Sequence, residues 1–285
     1  VFINNYHFSS HSQAIGRTLR VLSKHLPLSI SIFSVVLTEN GIPITEIEIN
    51  RIKVELIADA PNSEILMKEI SKISTASKQY SDSELNINNS NLEYFISPNY
   101  RLHLFDPDRP LYYDFGPEIS FKYTPKPGII ISGTGESSWL TTFDEISRGA
   151  KGSLPHVRTD IKKYANVTDP RIRDLSITSH SKLKNNLYSR ITGGYLESMF
   201  AGISSEILHS PSNSSLSIGG EINYVKARSF DQIFGLRDIK GMSNLNGHIS
   251  TYWDTNFHNY LVQLDYGKYL AGDVGSTLTI TRNFP

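Results

Sequence analysis

From about residue 94 onward the chain alternates apolar and polar positions with a period of two. In the run 214–226, Leu216, Ile218, Gly220, Ile222 and Tyr224 fall in one phase, and Ser217, Gly219, Glu221 and Asn223 in the other. Ten such segments are predicted as strands, at roughly 99–106, 113–123, 128–139, 171–180, 186–196, 198–209, 214–227, 246–254, 258–268 and 275–283. Pro-, Gly-, Asn-, Asp- and Ser-rich turns separate them: Asp106–Pro110, Pro125–Gly128, His209–Ser214, Asp254–Asn256 and Gly272–Gly275. Some connections are short; 140–170 and 228–245 are long. A strand of about ten residues, at roughly 3.3 Å per residue and a 45° tilt, reaches across a hydrocarbon layer.

The amino-terminal quarter reads differently. Ile15, Leu19, Leu22 and Leu26 sit at helical spacing in 11–26, ahead of Pro27. Two β-rich runs follow, Ser29–Leu37 and Ile42–Ile57, and Asn40-Gly41 between them is a hairpin signal. Ser63–Ile73 reads as a second helix. The division is therefore a small α-β-β-α domain over 1–75, a polar Ser/Asn-rich linker over 76–93, and an antiparallel β region over 94–285.

Composition narrows the class. The 285 residues carry 28 Lys+Arg and 28 Asp+Glu, so no basic field points to nucleic acid. No run of about eighteen apolar residues exists, which argues against membrane helices but leaves a transmembrane β-barrel open, since only alternate residues must be apolar. Cysteine is absent, removing disulfides and thiolate metal sites. The chain starts without methionine or a signal segment and stops just after an alternating run, and it reads as a piece of a longer protein.

Two folds satisfy the alternation: a soluble β-sandwich with its apolar phase inward, or a lipid-facing barrel with that phase outward. The polar phase favours the second, because it is built of small residues and lone charges. Gly202, Ser204 and Glu206 share a phase, as do Thr277, Thr279 and Thr281. Tyr188, Tyr195, Tyr224, Tyr252, Trp253, Tyr260, Tyr266 and Tyr269 sit at strand ends or in apolar phases, where interfacial girdles lie. The expectation is an antiparallel up-and-down outer-membrane-type β-barrel, with an incomplete strand set, preceded by the α+β domain. Burial of Ile218, Ile222, Leu264 and Ile280 between two stacked layers would decide for the sandwich.

Several motifs carry a family resemblance. Gly193-Gly194-Tyr195-Leu196-Glu197-Ser198-Met199-Phe200-Ala201-Gly202 is one. In the same order stand His156, Arg158 and Asp160 with Tyr164, the run Asn223–Asp231, Gly247-His248 with Tyr252-Trp253-Asp254, and Tyr269-Leu270-Ala271-Gly272-Asp273 with Val274–Leu278. Together they resemble the YjbH family of bacterial outer-membrane exopolysaccharide-biosynthesis proteins, related to capsule-operon barrel proteins. Ser204-Ser205 stands where the family has paired glycines, and Val274 where it has tryptophan. The resemblance implies a Gram-negative outer-membrane location with a periplasmic α+β domain, a lipoprotein signal upstream and further strands downstream. It also implies a role in polysaccharide production or export, with lipid, the polymer and other export-operon proteins as partners. It transfers no catalytic residue, and a non-enzymatic protein is expected.

Candidate chemistry is sparse. His156-x-Arg158-x-Asp160 would put three polar groups on one face if extended, an acid/base set or a self-satisfied rim. Glu197, Glu206, Glu221 and Asp265, with Arg190, read as a lumen charge network rather than a glycosidase pair. Tyr195, Tyr252, Trp253 and Tyr269 are candidate sugar platforms or belt residues. Gly193-Gly194 lacks the context of a phosphate loop, and the histidines lack metal-ligand spacing. No cofactor, metal or catalytic residue is assigned.

Overall fold

The computed structural model describes residues 1–5, 8, 10–57, 60, 63–77, 91–105, 109–145, 155–165 and 170–282. The first unit runs β1 (Phe2–Ile3), α1 (His11–His25), β2 (Ile32–Glu39), β3 (Ile42–Asn50), α2 (Arg51–Ile57), α3 (Ser63–Ile70) and β4 (Lys72–Thr75). Its sheet order is β1-β2-β3-β4. Ser10 caps α1 by accepting from the Gln13 amide. Asn40 and Gly41, both at positive φ, make the two-residue turn between β2 and β3. Leu19, Phe33, Val35, Ile49 and Val54 form the core, closed by Ile3, Ile15, Leu22, Met67 and Ile70.

Two expectations fail in this unit. The strand expected over Ile42–Ile57 ends at Asn50, and 51–57 is helical. The Asn50 side chain accepts from the Ile52 amide, and the buried Arg51 guanidinium donates to the Ser23, Leu26 and Pro27 carbonyls left open at the end of α1. Arg51 also holds the Glu55 carboxyl below its usual range by hydrogen bonding, with Ser23 assisting. The helix expected to reach Ile73 stops at Ile70, and β4 pairs with β3 instead. Hence this unit holds four strands and three helices, more than the α-β-β-α reading gave it.

The second unit contains β5 (Asn91–Leu104), β6 (Leu111–Lys126), β7 (Ile129–Glu136), β8 (Leu140–Thr141), α4 (Ile161–Ala165), β9 (Arg171–Lys184), β10 (Leu187–Tyr195), β11 (Phe200–His209), β12 (Leu216–Arg228), β13 (Leu236–Arg237), β14 (Leu245–Asp254), β15 (Tyr260–Lys268) and β16 (Val274–Arg282). They form one antiparallel sheet, with β8 attached to β6 and β13 to β12. The ten long strands follow chain order from β5 to β16, and each matches an expected segment. The first starts earlier than expected, at Asn91, and 78–90 of the expected linker lie outside the described residues. Among the described residues β5 and β16 each have one neighbour and no pairing joins them, so the sheet is open.

Burial on this sheet is inverted relative to a water-soluble layer. Ile218, Ile222, Leu264 and Ile280 are 55, 55, 48 and 61% exposed, and Ile96, Ile119, Ile203, Ile249 and Tyr266 continue the same uncovered face. The polar phase is the sheltered one: Asp114, Glu136 and Arg171 are 3, 5 and 2% exposed. No described layer covers the apolar face, so the two-layer sandwich expectation is not met. That polar side meets other parts of the chain at both ends.

At one end lie the short turns and the first unit. The Gly128 amide donates to the Asn40 carbonyl at 2.8 Å, and Lys182 Nζ donates to the Pro43 and Ala76 carbonyls at 3.2 and 2.6 Å. Thr75 bonds Asn186 and Ser212. At the other end the long connections fold back: Val157, Tyr164, Phe230, Ile239 and Met242 pack on Phe200, Val225 and Ala227, whose side chains share the inner phase.

Close strand approach depends on glycine at Gly194, held at φ 133° opposite Gly202. A Cβ there would sit 2.3 Å from the Leu175 carbonyl oxygen. Gly194→Ala is therefore expected to cost about 1–3 kcal/mol through strain at an otherwise forbidden backbone angle. The denaturation midpoint of the purified protein measures this, and an unchanged midpoint would show that the strand absorbs the side chain.

Candidate functional site

The inner face carries two sets of polar side chains, and a third lies at the long-loop end, on Arg228 in the alternate phase of β12. Across its middle, ladder pairing places His180 opposite Arg190, Arg190 opposite Glu206, Glu206 opposite Glu221, and Glu221 opposite His248. Arg190 Nη2 lies 2.8 Å from Glu206 and 3.8 Å from Glu221, and His248 Nδ1 lies 3.6 Å from Glu221. Asn223 adds a donor to Glu221 at 3.0 Å. The expected grouping of Arg190, Glu206 and Glu221 is thus brought together. Asp265 stands apart from it: Ser250 and Gln263 donate to its carboxylate at 2.6 and 2.9 Å.

A second set, on β5–β9, did not emerge from the sequence reading. Arg101 donates to Asp114 at 2.5 and 3.0 Å; Arg171 reaches Glu136 at 2.9 Å and Asp114 at 3.6 Å; Arg173 reaches Glu118 at 2.5 Å. The Arg171, Asp114 and Glu136 side chains are essentially inaccessible. Buried charges survive only when paired and hydrogen-bonded, so this lattice stands or falls as a unit. The available signal was a lone charge between two large apolar neighbours, as in Tyr100-Arg101-Leu102 and Tyr113-Asp114-Phe115.

The third set gathers the motifs at the long-loop end. Arg228 is fully buried and donates to the carbonyls of Ile172, Arg173, Glu197, Gln232 and Ile233 at 2.7–3.2 Å, with its guanidinium 4.6 Å from the Tyr195 ring centre. Tyr164 Oη donates to the Arg228 carbonyl at 2.6 Å. Leu196, Met199, Phe200 and Leu270 belong to the apolar cluster at the same end of the sheet. Gly194, Gly202 and Glu197 lie on or between the strands it joins, and Ala271, Gly272 and Asp273 complete the turn carrying Leu270, whose carbonyl accepts from Ser243.

His156, Arg158 and Asp160 are not extended, contrary to the geometry an acid/base set requires. They lie in the segment entering α4, where Asp160 meets His156 at 3.8 Å, Lys163 at 3.2 Å and Arg237 at 3.5 Å. Arg158 turns away to Glu197 at 2.7 Å. The rim reading fits, since each charge has an opposite neighbour. The four aromatic candidates also separate. Tyr195 Oη donates to the Phe234 carbonyl, Tyr252 faces inward opposite Ser217 and Gln263, Tyr269 stacks edge-on with His248 at 4.5 Å, and Trp253 lies on the exposed apolar face between Leu216 and Val262. They do not share one surface. Among the described residues no group of three or more His, Asp or Glu side chains is placed to hold a metal.

Exposure ranks these sets by energy. Arg228→Met strips donors from five carbonyls, three of them outside its own loop, and is expected to cost about 3–5 kcal/mol. Glu221→Leu removes a carboxylate that is one-third exposed and leaves Arg190 its Glu206 partner, so roughly 1 kcal/mol is expected. Denaturant titrations of both variants check the order; a Glu221→Leu loss equal to that of Arg228→Met would place the structural keystone in the central row.

Comparison with known proteins agrees with the motif reading. The family model YjbH, described as "Exopolysaccharide biosynthesis protein YbjH", matches residues 1–285. The "Uncharacterized lipoprotein YjbH" of Escherichia coli (strain K12) is 26% identical over 280 residues. That alignment covers 95% of this chain but 40% of the relative, so the chain spans well under half of that protein's length. No solved structure matches.

Proposed function

The chain belongs to the YjbH exopolysaccharide biosynthesis family, and from that membership we propose that it forms part of the wall of an outer-membrane β-barrel. The barrel serves polysaccharide production or export and performs no chemistry of its own. The observation that carries this reading is the uncovered apolar face, which runs across the sheet from Ile96 on β5 to Ile280 on β16 while the charged phase is sheltered. In water such a face is a large aggregation liability; against acyl chains it is at its energy minimum. The long strands run 8–16 residues, the length a tilted strand needs to cross a hydrocarbon layer. Among the described residues no helix is long and apolar enough to cross a membrane.

Orientation follows from the loops. Outer-membrane barrels pair short periplasmic turns with longer outer loops. On this reading the first unit, which docks among the short turns at 127–128 and 185–186, faces the periplasm, and 137–145, 155–165 and 229–244 face the outer rim. The curated relative is named a lipoprotein, and a lipid-anchored envelope protein suits this arrangement. The partners on this reading are outer-membrane lipid, the polymer and other export proteins, and the balanced charge gives nucleic acid no purchase.

Ile222→Arg separates the environments. At 55% exposure, a polar substitution in water is expected to change stability by no more than about 0.5 kcal/mol. Facing the bilayer midplane, the same change is expected to cost about 2–4 kcal/mol. The measurement is heat-modifiable migration and urea stability of the full-length protein in lipid, together with polymer output of cells producing the variant. Wild-type stability of Ile222→Arg, with the protein extracted from the envelope without detergent, would overturn the barrel.

A further inference from the structure

We propose that the cavity between the β2–β3 hairpin and the inner face of β9–β11 is a subsite for a short stretch of uncharged sugar, an assignment that rests on the polysaccharide role above. The cavity holds about 340 Å3, at the small end of the roughly 300–1,000 Å3 typical of small-molecule sites. Its roof is Glu39, Asn40, Ile42 and Ile44 of the hairpin; its floor includes His180, Tyr188, Arg190, Glu206 and Leu208. This mixture is what a pyranose requires. The Tyr188 ring with Ile42, Ile44 and Leu208 offers apolar surface to C–H-rich sugar faces, and the remaining side chains offer donors and acceptors to hydroxyls.

Two polar atoms in the floor are left without protein partners. His180 Nδ1 and Arg190 Nε are buried and make no hydrogen bond among the described residues. A buried polar group without a partner costs on the order of 1–3 kcal/mol, and a ligand hydroxyl relieves it only where a rotation of His180 or Arg190 turns the atom toward the cavity. Charge selects the class. Arg190 is matched by Glu206 at 2.8 Å, and Glu39 adds a carboxylate to the roof. Among the described lining residues no lysine or arginine is left without a carboxylate partner for a uronate, sulfate or phosphate. Hydroxyls, by contrast, bond both members of an ion pair without breaking it.

The site lies inside the short-turn end of the sheet, directly over the Arg190–Glu206–Glu221 row. Sugar bound there contacts both structural units at once: the hairpin of the first and the charged face of the second.

The test uses the full-length protein in detergent, with neutral glucose, galactose and mannose trisaccharides and a glucuronate-containing trisaccharide as probes. Saturation-transfer NMR and calorimetry read binding. At least one neutral trisaccharide is expected to bind and the glucuronate probe to bind more weakly. Tyr188→Ala, which removes the platform, and Leu208→Trp, which fills the cavity, are each expected to weaken binding by about tenfold. A melt of each variant shows whether it is folded, and a Glu39→Gln variant, altered only at the hairpin, replaces one that is not. Absence of neutral-sugar binding, preference for the acidic probe, or full binding by the folded variants overturns the subsite. If polymer output still depends on the protein in those cases, the barrel reading survives; detergent-free extraction with unaltered polymer output removes that reading instead.

Discussion

A sheet whose hydrophilic side is the sheltered one has to complete its hydrogen bonds from its own residues. That requirement organises the molecule. Asp114, Glu136 and Arg171 are almost wholly enclosed, and each charge lies within reach of an opposite one. An unpaired ion in such a place would cost several kcal/mol, more than any single apolar contact nearby returns. Pairing across ladder neighbours removes the penalty because strand register sets the partners: Arg190 faces Glu206 directly, and Glu221 faces His248. A one-residue slip would send these charges to the apolar face. The ion pairs therefore fix register as much as they add stability.

The same requirement explains the two ends. Strand termini expose carbonyls and amides that the ladder does not use. Where the connections are long, Arg228 collects the carbonyls from β9, the β10–β11 turn and its own loop, and a small apolar cluster of motif residues packs on the inner phase beside it. Where the connections are short, the first unit supplies the partners: the Asn40 carbonyl takes the Gly128 amide, and Lys182 reaches two carbonyls across the junction. Away from that long-loop end, where Arg228 and Tyr195 stand in the apolar phase, the apolar face is bare from β5 to β16.

The period-two pattern made the ten long strands legible because each has one uniform face, and Leu216–Tyr224 on β12 is representative. It could not reveal β4, β8 or β13, which are two to four residues long and exist only because a longer strand lies beside them. Helix α2 was misread for a related reason. Ile52, Val54 and Leu56 alternate like a strand, and only the long-range bonds of Arg51 to the end of α1 decide for a helix. At the candidate site, Arg190, Glu206 and Glu221 were legible because they share a phase on neighbouring strands. The Arg101–Asp114–Glu136–Arg171 lattice was not, because its members come from β5, β6, β7 and β9 and a register shift at Thr134/Gly135 separates the phases. The three residues of the His156 motif were grouped by spacing alone, and the chain spends that spacing on a turn rather than a strand.

Charge balance on the inner face bears on what such a surface can accommodate. On β5–β9, Arg101, Arg171 and Arg173 stand against Asp114, Glu118 and Glu136, a lattice closed on itself. In the central row Arg190 bridges two glutamates, and the excess carboxylate is turned toward His248 and Asn223. A surface of this kind has strong local dipoles and little net field. A mobile ion gains little there, because each fixed charge is already answered at short range and desolvation is not returned. In the central row, where Arg190, Glu206 and Glu221 stay partly exposed, the paired groups keep spare hydrogen-bonding capacity that hydroxyls can fill. Near-neutrality on so polar a face arises from the same pairing that keeps the sheet in register.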